Sequence, residues 1–205
     1  MATVSTVSIM TKLRILLDKH PLIKGMLSYG TLWPTACFIQ QTAIEGKKIE
    51  NVDWIRCLKY SIYGGFYTAP TVYAWIRIAQ AVFPKNTLQA GIQKAFVDQI
   101  SYGPFAIASF YTGMSLLEGK TFDEALKELQ TKFFSTWKVG APVWFTLQTI
   151  NFAYVPQKHR VVYISFFSLL WSTFLAYMKQ RERELLIQTP IVSNTIVKCN
   201  EMRNK

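Results

Sequence analysis

Five long stretches without a charged residue are the feature that most limits how this chain can fold. They cover residues 25–44, 60–76, 99–117, 139–157 and 161–178, and each is 17 to 20 residues long. A helix rises about 1.5 Å per residue, so about 20 residues cross a hydrocarbon core roughly 30 Å thick. A soluble helical bundle would instead carry charges at short intervals along its wet faces. The windows therefore predict an all-α, multi-span integral membrane bundle.

The distribution of charge agrees with this prediction. Charged residues make up only 17% of the chain, against about 25% in ordinary soluble domains. The net charge is +11, and the positive excess lies before the first window and after the last, for example at Lys12, Arg14, Lys179 and Arg181. Basic residues beside apolar spans set orientation and contact anionic headgroups. Without a nucleic-acid-binding motif beside them, they predict the lipid bilayer as partner and no direct nucleic acid binding.

Three segments are predicted along the chain. Residues 1–20 form a basic, Ser/Thr-rich N-terminal segment, 21–183 a single membrane-embedded helical domain, and 184–205 a polar flexible tail. Both termini are basic, which favours an even number of spans. The five windows thus predict about four spans, with one window re-entrant or two sharing a crossing. Between the third and fourth windows, Thr121 and Glu124 predict a capping box that starts an amphipathic connecting helix.

Prolines interrupt four of the five windows. Pro34, Pro70, Pro104 and Pro142 are predicted to kink their helices, because each lacks an N–H and frees the carbonyl four residues earlier. These carbonyls belong to Gly30, Phe66, Ile100 and Lys138. In lipid each needs a new partner from a neighbouring helix, a side chain or water. Broken helices also occur at transport sites, so the prolines are compatible with a solute pathway.

The fifth window carries a narrow stripe of small residues. Ser165, Ser168 and Ser172 recur at spacings of three and four and therefore lie on one helix face. Hydrophobicity cannot drive helices together within lipid, and small residues let helix backbones approach closely. The stripe predicts a helix-packing face.

Polar side chains inside or beside the windows are the candidates for function. Trp144, Gln148 and Asn151 fall on one stripe of the fourth window, and Asp98 with Gln99 lies at the mouth of the third. Unsatisfied polar groups in hydrocarbon cost several kcal/mol. These residues therefore either line a pore or hydrogen-bond between helices. Arg160, between the last two windows, is predicted near a mouth of the pathway.

The residues offer no pattern typical of an enzyme. His20 and His159 lie beside basic residues, and glycine-rich phosphate loops and nucleophile motifs are absent. The three cysteines, Cys37, Cys57 and Cys199, lack metal-ligand spacing. We therefore expect no catalytic residue, metal site or cofactor.

The polar positions also carry a family resemblance. Residues 151–156 (Asn-Phe-Ala-Tyr-Val-Pro), followed by Arg160 and Trp171, resemble the C-terminal motif of the Mpv-seventeen / peroxisomal-membrane-protein-twenty-two family. Gln148 stands where that family has a glutamine, and Asp98-Gln99 with Pro104 is similar to a second block of the family. Residues 109–120 are most similar to its Mpv-seventeen-like members.

The chain departs from the family pattern at two points. It has Trp144-Phe145 where the family has Trp-Pro, and Thr35-Ala36 where the family has Gly-Asp before a glutamine. Pro142 is predicted to supply the missing kink.

The resemblance implies a protein of about four spans in the mitochondrial inner membrane, with the peroxisomal membrane as the alternative. It also implies links to reactive-oxygen metabolism and mitochondrial DNA maintenance. The predicted function is a weakly selective channel for small solutes, and the alternative is a non-conducting regulatory or interaction protein. A second copy of the chain is a possible partner, as a homo-oligomer.

Overall fold

The computed structural model describes residues 11, 15 and 17–188, with side chains described as far as residue 174. Every regular element among these residues is helical, which confirms the predicted all-α class. The α-helices are α1 (Pro21–Ile39), α2 (Trp54–Ile62), α3 (Ala69–Val82), α4 (Leu88–Ile100), α5 (Tyr102–Leu117), α6 (Phe122–Tyr154) and α7 (Arg160–Gln188). Wider π-helical turns cover Gln40–Ile44 and Tyr63–Thr68, and short 3-10 turns cover Ile49–Asn51 and Gln157–His159.

Each uncharged window lies within one helical run or at a break between two. The first lies in α1 and the π turn after it, and the second runs through α2, its π turn and α3. The third begins at the end of α4 and fills α5, the fourth covers the second half of α6, and the fifth lies in α7. The absence of charge therefore identified helical segments, although it did not show where one helix ends and the next begins.

The predicted connecting helix and the fourth window form one continuous helix. α6 is 33 residues long, and its capping box is present as predicted. The backbone N–H of Glu124 donates to Thr121 Oγ1, and the Glu124 carboxylate accepts from the backbone N–H of Thr121 at 2.8 Å. At the other end of the domain, α7 extends to Gln188, past the boundary predicted at residue 183. Most of the predicted N-terminal segment, and the tail after residue 188, lie outside the described residues.

The helices bury polar side chains beside an apolar core and leave many large apolar side chains exposed. α4 and α5 lie against α6, while α1 packs on α7, on α2 and on the π turn after α2. Among the residues buried in this bundle are Gln41, Lys94, Asp98, Gln99, Gln148, Asn151 and Arg160. Large apolar side chains such as Phe66, Phe96, Phe134, Ile150 and Phe174 are exposed. Buried charged residues together with so many exposed large apolar side chains are unusual for a bundle surrounded by water.

No helix in residues 17–188 is both long enough and apolar enough to qualify as a membrane-spanning helix. The predicted count of about four spans therefore stays a prediction.

The prolines occupy two kinds of position. Pro34 and Pro142 lie inside α1 and α6, where kinks were predicted. Pro70 and Pro104 lie in the first turns of α3 and α5. A first turn does not require the missing N–H for an intrahelical bond, so Pro104 begins a helix after the break at Ser101. Pro70 instead lies where the π turn Tyr63–Thr68 continues into α3, with helical dihedral angles at Thr68 and Ala69.

The Gly30 carbonyl, which Pro34 leaves without an intrahelical donor, accepts a hydrogen bond from another helix. Ser61 Oγ, at the end of α2, donates to the Gly30 carbonyl oxygen at 2.6 Å. The approach is close because Gly65, in the following π turn, lies against the backbone of α1, where a Cβ would stand 3.2 Å from the Met26 carbonyl oxygen. The prediction that a freed carbonyl needs a new partner is thus met at this position.

Replacing Ser61 by alanine is expected to lower the free energy of unfolding by about 1–3 kcal/mol, because it leaves the half-buried Gly30 carbonyl without its donor. Thermal unfolding of the purified protein in detergent measures the loss. Ser135→Ala is the matched control, because Ser135 is exposed and donates only to a carbonyl of its own helix. Equal melting temperatures for the two variants would contradict this role of Ser61.

Candidate functional site

Asp98 is the centre of a buried hydrogen-bond network that joins three helices. Its side chain lies on the last turns of α4. Trp75 Nε1, from α3, donates to Asp98 Oδ1 at 2.6 Å, and Gln148 Nε2, from α6, donates to the same oxygen at 2.9 Å. Gln99 Nε2 donates to Oδ2 at 2.9 Å. One carboxylate thus accepts three hydrogen bonds, which is how a buried charge is stabilised.

The network continues along α6. Asn151 Nδ2 donates to Gln148 Oε1 at 3.1 Å, as expected for residues three apart on one helix face. Asn151 Oδ1 is buried and accepts no hydrogen bond within the described part of the chain. We call Trp75, Asp98, Gln99, Gln148 and Asn151 the Asp98 network. Sequence reasoning placed four of these residues at the site and missed Trp75.

An internal cavity of about 210 Å³ lies beside this network. It is large enough for several water molecules or a small organic solute. Aromatic rings form most of its wall, while Asp98, Gln99 and Gln148 add polar groups. Its aromatic lining comprises Tyr29, Trp33, Tyr60, Tyr63, Tyr67, Tyr102, Phe110, Tyr111, Trp137, Trp144 and Trp171. An apolar cavity with a few converging polar groups is typical of a small-molecule site.

Two donors in the cavity wall are left without partners. Trp33 Nε1 and Tyr63 Oη are buried and make no hydrogen bond to the described residues. Their rings stack with centroids 6.0 Å apart, and Phe110 packs edge-on against Trp33. A buried donor without a partner costs about 1–3 kcal/mol.

The predicted serine stripe divides between two roles. Ser165 is fully buried and hydrogen-bonds Ser28 across the contact between α1 and α7, which is the packing role predicted for the stripe. Ser168 and Ser172 instead line the cavity, and each donates to a carbonyl of its own helix. Small side chains on this part of α7 therefore leave the space that the cavity occupies.

Arg160 lies apart from the cavity, in a second polar cluster. Its guanidinium donates to the carbonyls of Val155 and Phe152 at 3.0 Å and to Gln80 Oε1 at 2.8 Å. Lys94 Nζ donates to the same Gln80 oxygen at 2.9 Å. Neither Arg160 nor Asn151 lines the cavity, so the structure does not bring all the predicted site residues together. Lys94 was not selected from the sequence, where it lies outside every uncharged window.

The described residues hold no cluster of three or more His, Cys, Asp or Glu side chains with the geometry of a metal site. Cys37 and Cys57 are buried as free thiols, and both accept from Gln41 Nε2.

These observations define a class of protein: an all-helical bundle with many exposed apolar side chains, buried polar networks and a small cavity. Comparison with known proteins identifies the family. Residues 115–176 match the model of the Mpv17 / PMP22 family. The Mpv17-like protein of Xenopus laevis is 34% identical over 83% of this chain and 84% of its own length. The chain therefore belongs to the Mpv17 / PMP22 family, as its sequence motifs predicted.

Two further relatives bear on the location of the family. The mitochondrial inner membrane protein Mpv17 of Danio rerio is 25% identical over 79% of this chain and 92% of its own length. Peroxisomal membrane protein 2 of Bos taurus is 27% identical over 78% of the chain and 84% of its own length. These names match the predicted location in the mitochondrial inner membrane and its peroxisomal alternative. No solved structure matches the chain significantly.

Proposed function

We propose that this protein is a weakly selective membrane channel for small solutes, and that the cavity beside the Asp98 network is part of its pathway. The observation that carries the proposal is the cavity itself, with the Asp98 carboxylate at its wall and with Trp33 and Tyr63, which each have an unpartnered polar atom, among its lining residues. Polar groups that lack hydrogen-bond partners within the protein are typical of a pathway for water and polar solutes, because the solutes can supply those partners.

The exterior of the bundle supports a membrane setting. Phe66 is 73% exposed and Phe134 67% exposed, although both are large apolar residues. Many similar side chains cover the outer faces of the helices, where contact with lipid removes the cost of exposing them to water. The mitochondrial inner membrane is the proposed location, with the peroxisomal membrane as the alternative, because family members carry both names.

The proposed consequence of such a channel is an effect on organelle metabolism. Solute movement across the membrane would alter metabolite and reactive-oxygen balance, and through the supply of metabolites the maintenance of mitochondrial DNA. This part of the proposal is supported by the family resemblance and not by a feature of the site.

A non-conducting regulatory or interaction protein is the second candidate, and one observation favours it. Asp98 receives donors from α3 and α6 as well as from its own helix, so the network joins helices as a structural element would. A protein of this kind needs no pathway, and its cavity would be a packing imperfection.

Solute flux across liposomes that contain the purified protein separates the two candidates. We expect the wild-type protein to release small uncharged solutes such as glycerol and to retain large polymers, because the cavity limits the size of what passes. Release is measured by light scattering after an osmotic step, with protein-free liposomes as the control. Correctly inserted, helical protein that releases nothing would favour the non-conducting alternative.

A further inference from the structure

The second polar cluster contains two buried cations that share one neutral acceptor. Lys94 is 0% exposed and Arg160 is 2% exposed. Both donate to Gln80 Oε1, at 2.9 Å and 2.8 Å, and both lie 5.6 Å from the centre of the Phe152 ring. Gln80 Nε2 donates to the Pro84 carbonyl at 2.7 Å, which fixes the amide with its oxygen towards the cations. The cluster therefore brings two positive charges together around a single amide oxygen.

Neither cation has a carboxylate partner among the described residues. Their remaining acceptors are neutral: the carbonyls of Lys85, Phe152 and Val155, and the Asn86 side chain at 3.1 Å from Arg160. Asp98, one turn further along α4, accepts instead from Trp75, Gln99 and Gln148. Asp18 is held by Lys24 at 2.8 Å and by Lys158 at 3.1 Å. Buried charges are normally paired, because removing them from water is costly.

Helix dipoles offset only part of this charge. The carbonyls of Phe152 and Val155 lie at the C-terminal end of α6, where a helix carries roughly half a unit of negative charge. The two side chains together carry two positive charges, so most of the positive charge remains. Burial and the neighbouring Arg160 lower the pKa of Lys94 to about 8. A lowered pKa is expected for a buried lysine that has no anionic partner.

Lys94 and Arg160 each keep an N–H donor that makes no hydrogen bond to the part of the chain that the structure describes. Arg160 has five N–H donors and uses four of them, and Lys94 has three and uses two, counting all bonds to the described residues. The unused donors belong to the two nitrogens that share Gln80 Oε1. Residues 83–87 lie over the pair, and Lys85 and Asn86 in this loop are exposed. The Asn86 amide, which accepts from Arg160 Nη2, is the group that an incoming ligand would displace.

From this geometry we propose that Lys94 and Arg160 form a binding site for a phosphate group. A guanidinium beside an ammonium supplies both the planar donors and the compact charge that phosphate oxygens bind. Two sources of phosphate fit the site. One is the headgroup of an anionic phospholipid, since basic pockets between helices near the membrane surface bind such headgroups. The other is free phosphate or a phosphorylated solute.

The test uses the full chain, purified in an uncharged detergent. One arm titrates inorganic phosphate, with chloride at equal ionic strength, and records the melting temperature. The other arm takes protein from phosphatidylcholine vesicles containing phosphatidylglycerol and counts the lipids that it retains by native mass spectrometry. Stabilisation by inorganic phosphate beyond that by chloride identifies free phosphate as the ligand. Selective retention of phosphatidylglycerol identifies the headgroup. A ligand that binds only the folded protein stabilises it by RT ln(1 + [L]/Kd), so the melting temperature rises with the logarithm of the phosphate concentration above Kd.

Variants of Lys94 assign the binding to this cluster. Lys94→Gln is expected to weaken binding about ten- to a hundredfold, because it removes one charge-assisted hydrogen bond. Lys94→Arg keeps the charge and is expected to weaken binding less than Lys94→Gln. Lys127→Gln, which removes a charge from an exposed position on α6, is the matched control and should not change binding. The wild-type measurements stand even if Lys94→Gln does not fold. Absence of binding in both arms, or equal weakening by Lys127→Gln, would overturn the proposal.

Discussion

Replacing Asp98 by alanine is expected to lower the free energy of unfolding by about 3–4 kcal/mol, a large fraction of the stability of an ordinary domain. The loss arises because three donors, Trp75 Nε1, Gln99 Nε2 and Gln148 Nε2, lose their shared acceptor at once. A buried donor without a partner costs about 1–3 kcal/mol. The cavity beside the network admits water to some of these donors, which keeps the total below the sum of three such costs.

The matched control for this variant is Asp98→Asn. The asparagine oxygen still accepts from Trp75 and Gln148, and rotation of the Gln99 amide by half a turn presents its oxygen to the new amide nitrogen. We therefore expect a loss of about 1 kcal/mol for this variant. Thermal and denaturant unfolding in detergent, followed by circular dichroism, measure both losses. Equal stability of Asp98→Ala and wild type would show that the network does not hold α3, α4 and α6 together.

The sequence predicted the helical segments well, because their signal is local. A window without charge needs only its own residues to be recognised, and every such window lies in helix. The capping box at Thr121 and the need of the Gly30 carbonyl for a partner are local in the same sense. The stripe of Gln148 and Asn151 also follows from helix periodicity alone.

The partners of these groups could not be predicted in the same way. Trp75 is separated from Asp98 by a chain reversal, and nothing in its local sequence shows that its indole points at a carboxylate. Arg160 was predicted at a mouth of the pathway, and its contacts with Gln80 and Asn86 could not be inferred from its own helix. Such contacts depend on how helices are arranged in space, and helical periodicity carries no information on this.

The length of α6 shows a further limit. An amphipathic segment followed by an apolar one reads as two elements, because the solvent exposure of their faces differs. The backbone nevertheless continues through the junction near Lys138, where no glycine or proline occurs before Gly140. A change of environment along a helix was therefore mistaken for a change of element.

Filling the cavity with an indole is the second variant with a large expected effect. Ala106 lines the cavity from α5, so Ala106→Trp is expected to place the largest side chain in the space that solutes would use. Ala108 lies two residues further along the same helix, about 200° around its axis, and does not line the cavity. Ala108→Trp therefore adds the same bulk to the same helix on another face, which makes it a matched control.

The most direct test of the proposed channel is the rate of glycerol release from liposomes that contain wild-type protein, Ala106→Trp or Ala108→Trp at equal density. If the cavity is the pathway, wild type and Ala108→Trp release glycerol at similar rates, and Ala106→Trp falls to near the rate of protein-free liposomes. If Ala106→Trp folds, inserts and conducts like wild type, the cavity beside the Asp98 network is not the pathway.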